Sequence, residues 1–228
     1  MSRELVLVTG GAGFIGTHVV DLLLAKGYRV RVYDKLVEQV HKDGKSTYLS
    51  PEAEFIKADM QDKTTLGKAL DGVDMVVNLA AEVGVGQSMY EITRYMNANT
   101  GGTAVLLELL ASGKFNVNRM VVASSMSVYG EGLYVCEEHG ELSPDQRSEE
   151  QLKAHKWDVI CPDCGQELKP IATKETKKLS PSSIYAISKL DQESMSINIG
   201  RAYGIATVAL RLFNAFGPRQ ALSNPYTG

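Results

Sequence analysis

Tyr185 and Lys189 have side chains and a spacing suited to acid–base chemistry on a hydroxyl group. In a helix, residues four apart lie on one face, one turn from each other. A phenol is a poor base near neutral pH, but a neighbouring ammonium and the positive ring of an oxidised cofactor would both stabilise its anion, so we expect these two charges together to lower the pKa of Tyr185. A Tyr–Lys pair by itself is common on protein surfaces, so this interpretation depends on the residues that the fold places beside it.

Ser125 is the third candidate for this chemistry. It lies in the serine-rich segment 124–130, directly after an apolar run that predicts a strand. A serine hydroxyl can donate a hydrogen bond to an oxygen that becomes a carbonyl while the adjacent carbon loses a hydride. The three side chains therefore fit the oxidation of an alcohol by a hydride acceptor.

The chain begins with the features of a strand, a glycine-rich turn and a helix. The apolar run at residues 5–8 predicts a strand buried on both faces, and helical spacing follows Gly16. In such a turn, Gly10 permits the tight bend, Gly13 lets the backbone approach a pyrophosphate, and Gly16 lets the helix pack closely on the strand. The N–H groups that begin the helix then face the phosphates. Glycines also mark ordinary turns, so this pattern needs support from the next strands.

Acidic residues follow the next two predicted strands. Strand 29–33 leads to Asp34, at the distance where a carboxylate accepts hydrogen bonds from an adenosine ribose. Strand 54–58 leads to Asp59, which is placed to meet the adenine. Asp34 would repel the 2′-phosphate of NADP and no arginine follows it, so we expect NAD as the cofactor. Lys35 complicates this preference.

The alternation of strands and helices continues along the chain. The further predicted strands are residues 74–81, 119–123 and 207–212, and the further predicted helices are residues 62–70, 103–111 and 185–203. This order predicts an α/β fold with a doubly wound parallel (Rossmann) sheet, whose ligands bind beyond the carboxyl ends of the strands. Ala80 and Ala81 are small residues at such an end, where a cofactor can pass over the backbone.

Composition excludes several other classes of protein. The chain has 228 residues, 44% of them hydrophobic and 22% charged, with a net charge of -3. It is long enough for one core with a smaller appended piece, and it is not a strongly basic nucleic-acid binder. No apolar run is long enough for a membrane span and Met1–Glu4 shows no signal-peptide pattern, so we expect a cytoplasmic protein.

Residues 131–179 read as an insertion into this pattern, because they are polar and lack long apolar periodicity. The segment contains the chain's three cysteines and its single tryptophan. Cys136 and His139 form one two-ligand knuckle, and Cys161 and Cys164 form another, which together give the closed ligand set of a structural zinc ion. The alternative is three free thiols and a surface histidine.

These features together resemble the extended short-chain dehydrogenase/reductases, in particular their nucleotide-sugar epimerase and dehydratase group. The motifs that carry the resemblance are residues 9–16, Asp34, Asp59, residues 124–130, the Tyr185–Lys189 pair and residues 211–218. The resemblance implies that Tyr185 is the catalytic base, that Lys189 holds the nicotinamide ribose and that Ser125 polarises a sugar hydroxyl. It covers nearly the whole chain outside the insertion.

The resemblance also completes the expected binding sites. The expected NAD site consists of Gly10, Gly13, Phe14, Ile15, Gly16, Asp34, Lys35, Asp59, Met60, Leu79, Ala80, Ala81, Asn99, Ser124, Tyr185, Lys189 and Phe213. The expected contacts with a nucleotide-sugar substrate are Ser125, Ser127 and Asn214. A homodimer through the helices that contain Thr103 and Tyr185 is also implied. So is a C-terminal substrate lobe, which is largely missing from a chain that ends at Gly228.

Met126 and Ser127 indicate which reaction of the group to expect. Dehydratases of this group carry an acidic pair directly after the serine or threonine, and decarboxylases carry a glutamate at the second position. Without these carboxylates, the resemblance implies NAD-dependent epimerisation at C4 through a 4-keto intermediate. Residues 82–91, the insertion and residues 220–228 look most like members that act on dTDP-L-rhamnose. The alternatives are a UDP-glucose/UDP-galactose 4-epimerase, a net nucleotide-sugar reductase or dehydrogenase, and a non-catalytic NAD-binding protein.

Overall fold

A computed structural model of the chain describes residues 4–221. Over this range the chain folds as two compact units: Met1–Ser125 with Ser183–Gly228, as far as these are described, and Met126–Ser182. Most of the terminal run 220–228 lies outside the described residues. No helix in the described range has the length and apolar character that a membrane span requires.

Strands and helices follow one another in the predicted order. The strands are β1 (Leu5–Thr9), β2 (Arg29–Asp34), β3 (Glu54–Lys57), β4 (Met75–Asn78), β5 (Arg119–Ser125), β6 (Leu133–Cys136), β7 (Gly140–Leu142), β8 (Lys169–Ile171) and β9 (Ala206–Leu212). The helices are α1 (Phe14–Ala25), α2 (Lys63–Ala69), α3 (Val85–Ser88), α4 (Ile92–Tyr95), α5 (Gly102–Ala111), α6 (Glu149–Lys153) and α7 (Ile184–Tyr203). Short 3-10 helices lie at Lys42–Gly44 and Met126–Tyr129, and a π-helix lies at Met96–Gly101.

The first unit is built on a six-stranded sheet in the order β3-β2-β1-β4-β5-β9, in which neighbouring strands are parallel. Along β1, Leu5 and Leu7 pack into one apolar cluster, whereas Val6 and Val8 pack into another. Successive strand residues point to opposite faces, so the two clusters lie on the two sides of the sheet. The predicted doubly wound parallel sheet is confirmed, with its switch point between β1 and β4.

Most element boundaries differ from the prediction by one or two residues, and two of the differences affect the candidate site. Helix α1 begins at Phe14, so Gly16 lies inside its first turn rather than before it. The strand predicted at 74–81 ends at Asn78. The N–H of Leu79 still donates to the carbonyl of Thr9 (3.0 Å), the last residue of β1, and the N–H of Ala80 then donates to the side-chain hydroxyl of Thr9 (3.4 Å).

The second unit has its own sheet and its own core. Strands β7, β6 and β8 form an antiparallel sheet in that order. The unit runs from residue 126 to 182, so it is wider at both ends than the predicted insertion. Its core consists of Cys136, Val159, Cys161 and Leu168, which are all buried. Two of the three cysteines therefore supply part of the only apolar cluster that the described residues of this unit form.

Candidate active site and cofactor site

The glycine-rich turn after β1 is close-packed on one side. Gly10 has a φ of +66°, and a Cβ there would lie 2.8 Å from the backbone nitrogen of Ala80. A Cβ on Gly16 would overlap the carbonyl oxygen of Gly10 and the backbone of Gly11. Gly10 thus makes the predicted tight bend, and Gly16 lets α1 approach the turn itself rather than the strand.

The other side of this turn is open, and it fits a phosphate group. A Cβ on Gly13 would have one neighbour within 4 Å, the carbonyl oxygen of Gly10 at 3.4 Å. No described side chain caps the N-terminus of α1, which starts with Phe14 and Ile15. The backbone N–H groups of this first turn are therefore available to an anion, as the dinucleotide prediction requires.

Asp34 fixes the turn to the end of β2. Its Oδ2 accepts a hydrogen bond from the backbone N–H of Ala12 (3.1 Å), and its Oδ1 accepts one from the N–H of Leu36 (2.8 Å). Each oxygen keeps a free lone pair, since a carboxylate oxygen can accept more than one hydrogen bond. Asp34 is therefore held in place at the strand end where the ribose is expected.

Lys35 turns towards two carboxylates. Its Nζ lies 3.3 Å from Oδ2 of Asp59 and 3.6 Å from Oε1 of Glu82. Arg94 donates to Glu82 and to Glu91, each at 2.7 Å. Burial opposes the charge on Arg94, but the two carboxylates hold its pKa above the ordinary value.

Tyr185 and Ser125 are brought together as predicted, and their hydroxyl groups form a hydrogen bond. Tyr185 is the second residue of α7, and Ser125 is the last residue of β5. The expected lowering of the phenol pKa depends on a neighbouring ammonium and on the positive nicotinamide ring of NAD together, and the chain by itself does not produce it. Burial raises the pKa of Tyr185, and the hydrogen bond with Ser125 offsets this in part. The resting side chain is therefore a neutral phenol that can donate a hydrogen bond.

Burial also shifts the pKa of Lys189, one turn further along the same helix. Its side chain is 3% exposed, and burial lowers its pKa to about 7. Its ammonium donates to Oε1 of Gln192 at 2.6 Å. Burial therefore opposes the charged form of Lys189, as it opposes the phenolate form of Tyr185.

A network of buried hydrogen bonds holds Gln192, the partner of Lys189, in place. Gln192 donates to the hydroxyl of Thr103 (2.7 Å) and to the carbonyl of Ala80 (3.3 Å). Asn78 donates to the same threonine (3.3 Å) and accepts from the hydroxyl of Thr9 (2.6 Å). The network links α7 to the ends of β1 and β4, so the lysine and the loop beside the cofactor site are fixed relative to each other.

The loop after β4 positions the start of α7. The Oγ of Ser88 accepts a hydrogen bond from the N–H of Tyr185 (3.0 Å) and donates to the carbonyl of Val85 (2.6 Å). The ring of Tyr95 meets that of Tyr185 edge to face, with centroids 6.4 Å apart. Ser183 caps the helix through the N–H of Ala186 (3.1 Å).

Sequence reasoning missed Ser88 and Gln192 as supports of the catalytic pair. Gln192 had a local signal, since it lies three residues after Lys189 on the same helix and within side-chain reach. Ser88 had none, because its contact with Tyr185 joins residues 97 positions apart.

Asn99 was predicted to line the cofactor, but its amide is engaged within the chain. Its Oδ1 accepts from the N–H of Glu82 (2.7 Å), and its Nδ2 donates to the carbonyl of Glu82 (3.1 Å) and to Ser188 (2.9 Å). The side chain is fully buried in the π-helix. Asn99 therefore shapes the loop after β4.

The remaining predicted site residues lie in different environments. Met60 is buried in the core that contains α2 and α5 residues, and Ser124 is buried at the end of β5. Leu79 and Ala81 are half-buried on the loop after β4. Phe213 and Asn214 are exposed directly after β9. Ser127 belongs to the second unit.

The four predicted metal ligands converge inside the second unit. The Sγ of Cys136 lies 3.5 Å from Nδ1 of His139 and 3.6 Å from Sγ of Cys164, and the Sγ of Cys161 lies 3.5 Å from the same histidine nitrogen. All four ligand atoms lie within 4.8 Å of one another. Ligands of a tetrahedral zinc ion lie about 3.3 to 3.8 Å apart, so three thiols and an imidazole here fit zinc.

Comparison with known protein families shows which family the chain belongs to. The family described as NAD dependent epimerase/dehydratase family matches residues 6–156. The chain belongs to this family. A second family description, GDP-mannose 4,6 dehydratase, matches residues 165–226. The glycine-rich turn, Asp34 and Ser125 thus lie in the part that matches the epimerase/dehydratase family, and Tyr185 and Lys189 lie in the part that matches the second.

Several relatives in the epimerase/dehydratase family are 4-epimerases. The dTDP-L-rhamnose 4-epimerase of Burkholderia thailandensis is 35% identical over 98% of this chain and 61% of its own length. The structure of Thermus thermophilus UDP-glucose 4-epimerase in complex with NAD matches 97% of this chain and 60% of that chain, with a TM-score of 0.71 and 28% identity. The Bacillus cereus UDP-glucuronic acid 4-epimerase, in complex with UDP-glucuronic acid and NAD, matches 96% of this chain and 59% of that chain, with a TM-score of 0.72 and 28% identity. The chain therefore spans about three fifths of the length of these relatives.

Proposed function

We propose that this protein catalyses NAD-dependent epimerisation at C4 of a nucleotide-diphosphate sugar similar to dTDP-L-rhamnose. The observation that carries the proposal is the hydrogen bond between Tyr185 and Ser125, with Lys189 one turn further along the same helix. These groups lie on the same sheet edge as the glycine-rich turn, where an α/β sheet binds its ligands.

The residues that would hold NAD satisfy its chemistry. The open first turn of α1 suits the pyrophosphate, and Asp34 keeps lone pairs for the ribose hydroxyls. Gly10 and Ala80 let the backbones that follow β1 and β4 approach each other closely beneath the expected cofactor. When bound, NAD supplies a hydride acceptor that can return the hydride to the other face of C4.

The side chains of the chain itself handle the proton. Once Tyr185 has released its own proton, its phenolate takes the proton of the C4 hydroxyl, and the phenol so formed gives that proton back when the opposite epimer forms, while Ser125 donates a hydrogen bond to the same oxygen. Lys189 positions the ribose and, when protonated, favours the phenolate. The neighbours Met126 and Ser127 offer no carboxylate for the elimination of water, which supports epimerisation over dehydration. Ser127 and Asn214 stay candidate contacts with the sugar nucleotide.

The test is NMR of the protein incubated with NAD and a panel of nucleotide sugars that includes dTDP-L-rhamnose and UDP-glucose. We expect inversion at C4 without net formation of NADH, most rapidly with dTDP-L-rhamnose. Tyr185→Phe should retain NAD binding and lose about 100-fold or more in rate, since it lacks the acid–base oxygen.

Other outcomes of that experiment select the alternatives. Faster inversion of UDP-glucose would replace the proposed substrate, and NADH formed in proportion to product would indicate a dehydrogenase. NAD binding without conversion of any sugar would favour a non-catalytic binding protein. A Tyr185→Phe variant with a normal rate would show that another group is the base.

We also propose that Cys136, His139, Cys161 and Cys164 hold one structural zinc ion, which suits reduced thiols in a cytoplasmic protein. Metal analysis of protein purified without chelator should find about one zinc per chain. Cys161→Ser should lose the metal and keep NAD binding, whereas the matched control His155→Ala, which changes a histidine outside the cluster, should retain both. Zinc-free protein with reduced thiols would contradict this assignment.

A homodimer through α5 and α7 is the proposed assembly. Helix α5 covers the sheet with buried leucines, and α7 leaves Ile187 and Tyr203 exposed by 38% and 54%. Light scattering that gives twice the chain mass, and the monomer mass for Ile187→Glu, would support this interface. A monomeric wild-type protein would contradict it.

A further inference from the structure

Lys35 lies where its charge could favour NADP over NAD. It directly follows Asp34 at the end of β2, beside the edge where the adenosine ribose is expected. In dinucleotide sites, a cation near this position accommodates the 2′-phosphate of NADP. Lys35 would meet this requirement if its ammonium were free.

The structure shows that this ammonium forms ion pairs with two carboxylates. Nζ lies within 3.6 Å of carboxylate oxygens of both Asp59 and Glu82. The side chain of Asp59 is 42% exposed, whereas that of Glu82 is 9% exposed. Solvent therefore screens the attraction between Lys35 and Glu82 less than the attraction between Lys35 and Asp59.

Glu82 is also rigidly held. Its backbone N–H and carbonyl both bond to Asn99, at 2.7 and 3.1 Å. Its Oε2 accepts from Arg94 at 2.7 Å, which leaves Oε1 towards Lys35. A carboxylate fixed in this way draws the flexible lysine towards the end of β4.

We infer that Glu82 is a second determinant of cofactor choice, which holds Lys35 so that its ammonium does not receive the 2′-phosphate of NADP. The inference rests on the proposed function, since it assumes that this edge binds a dinucleotide. Asp34 disfavours NADP by direct repulsion, whereas Glu82 acts through Lys35. The lysine that complicates the sequence-based preference is in this way neutralised by the fold.

The test is a titration of NAD and NADP into the wild-type chain and two variants at low ionic strength. Glu82→Gln keeps the shape and an acceptor for Arg94 but removes the charge that attracts Lys35. We expect the ratio of the NADP Kd to the NAD Kd to fall about fivefold or more. The matched control is Glu91→Gln, which removes the other carboxylate bound to Arg94 and keeps both carboxylate partners of Lys35. Its ratio should stay within about twofold of the wild type.

A double-mutant cycle separates the action of Lys35 from a general loss of negative charge. If Glu82 acts through the lysine, Glu82→Gln should leave the ratio unchanged when Lys35→Met is already present. An equal fall in the ratio with and without Lys35 would overturn the inference, and so would an unchanged ratio in Glu82→Gln alone.

The wild-type measurement separates this inference from the proposed function. A chain that binds neither dinucleotide contradicts the proposed function, and the inference with it. A chain that binds NAD but shows no effect of Glu82→Gln contradicts the inference alone.

Discussion

Lys189 should destabilise the cofactor-free fold, so Lys189→Met should stabilise it while removing the proposed activity. Lys189 is 3% exposed, and burial lowers its pKa from 10.5 to about 7. The unfolded chain keeps the ordinary pKa, so between these two pH values it binds a proton that the folded chain does not. The resulting penalty is complete below about pH 7 and disappears as the pH rises to about 10.5.

The size of the effect follows from the two pKa values. Their difference corresponds to about 5 kcal/mol of folding free energy at low pH. The variant leaves Oε1 of Gln192 without its partner, which costs about 1–3 kcal/mol. We therefore expect Lys189→Met to be about 1–3 kcal/mol more stable near pH 7, and this advantage to shrink by about 2 kcal/mol near pH 9.

The assay is urea unfolding of the cofactor-free chain at both pH values. Circular dichroism is the suitable signal, because the single tryptophan, Trp157, lies in the second unit. The control is Lys63→Met, which removes an exposed lysine paired with Glu108 and should change stability by less than about 0.5 kcal/mol. A Lys189→Met chain that is less stable than the wild type near pH 7, or whose advantage does not depend on pH, would refute the reasoning.

Three further results are expected. Gly16→Ala should lower the free energy of unfolding by about 2–4 kcal/mol and weaken NAD binding, because the added Cβ would overlap the carbonyl of Gly10. The control is Gly67→Ala in α2, where an added Cβ meets its neighbour at 3.7 Å, and it should be neutral or stabilising. Equal effects of the two variants in urea unfolding would contradict this prediction. Gln192→Met should raise the Kd of NAD about tenfold, because Lys189 loses the hydrogen bond that positions it. The control is Ser196→Ala, a buried change one turn further along α7, which should leave the Kd unchanged. Calorimetry that finds the same Kd in both variants as in the wild type would contradict a role of the Gln192 hydrogen bonds in cofactor binding. If the second unit holds the proposed zinc ion, a chelator should unfold this unit and change the fluorescence of Trp157, and an unchanged spectrum would argue against a structural zinc ion.

The sequence by itself determined the architecture and predicted which groups are reactive. Buried strands appear as apolar runs, and tight turns require glycine where φ is positive, so the first βαβ unit can be recognised from neighbouring residues. The spacing of Tyr185 and Lys189 fixes them on one helical face, and the two short knuckles fix which cysteines and histidine pair locally. These properties depend on residues close in the chain, so a pattern is enough to reveal them.

The tertiary structure alone decided how those groups behave. The pKa of Tyr185 is raised and that of Lys189 is lowered, because desolvation depends on everything packed around a side chain rather than on its neighbours in sequence. The ion pair of Lys35 with Glu82 also depends on the tertiary structure, and so does the contact of Gln192 with Thr103, which joins residues 89 positions apart. Long-range contacts of this kind form only when strand ends and helices meet in three dimensions, so no local pattern records them.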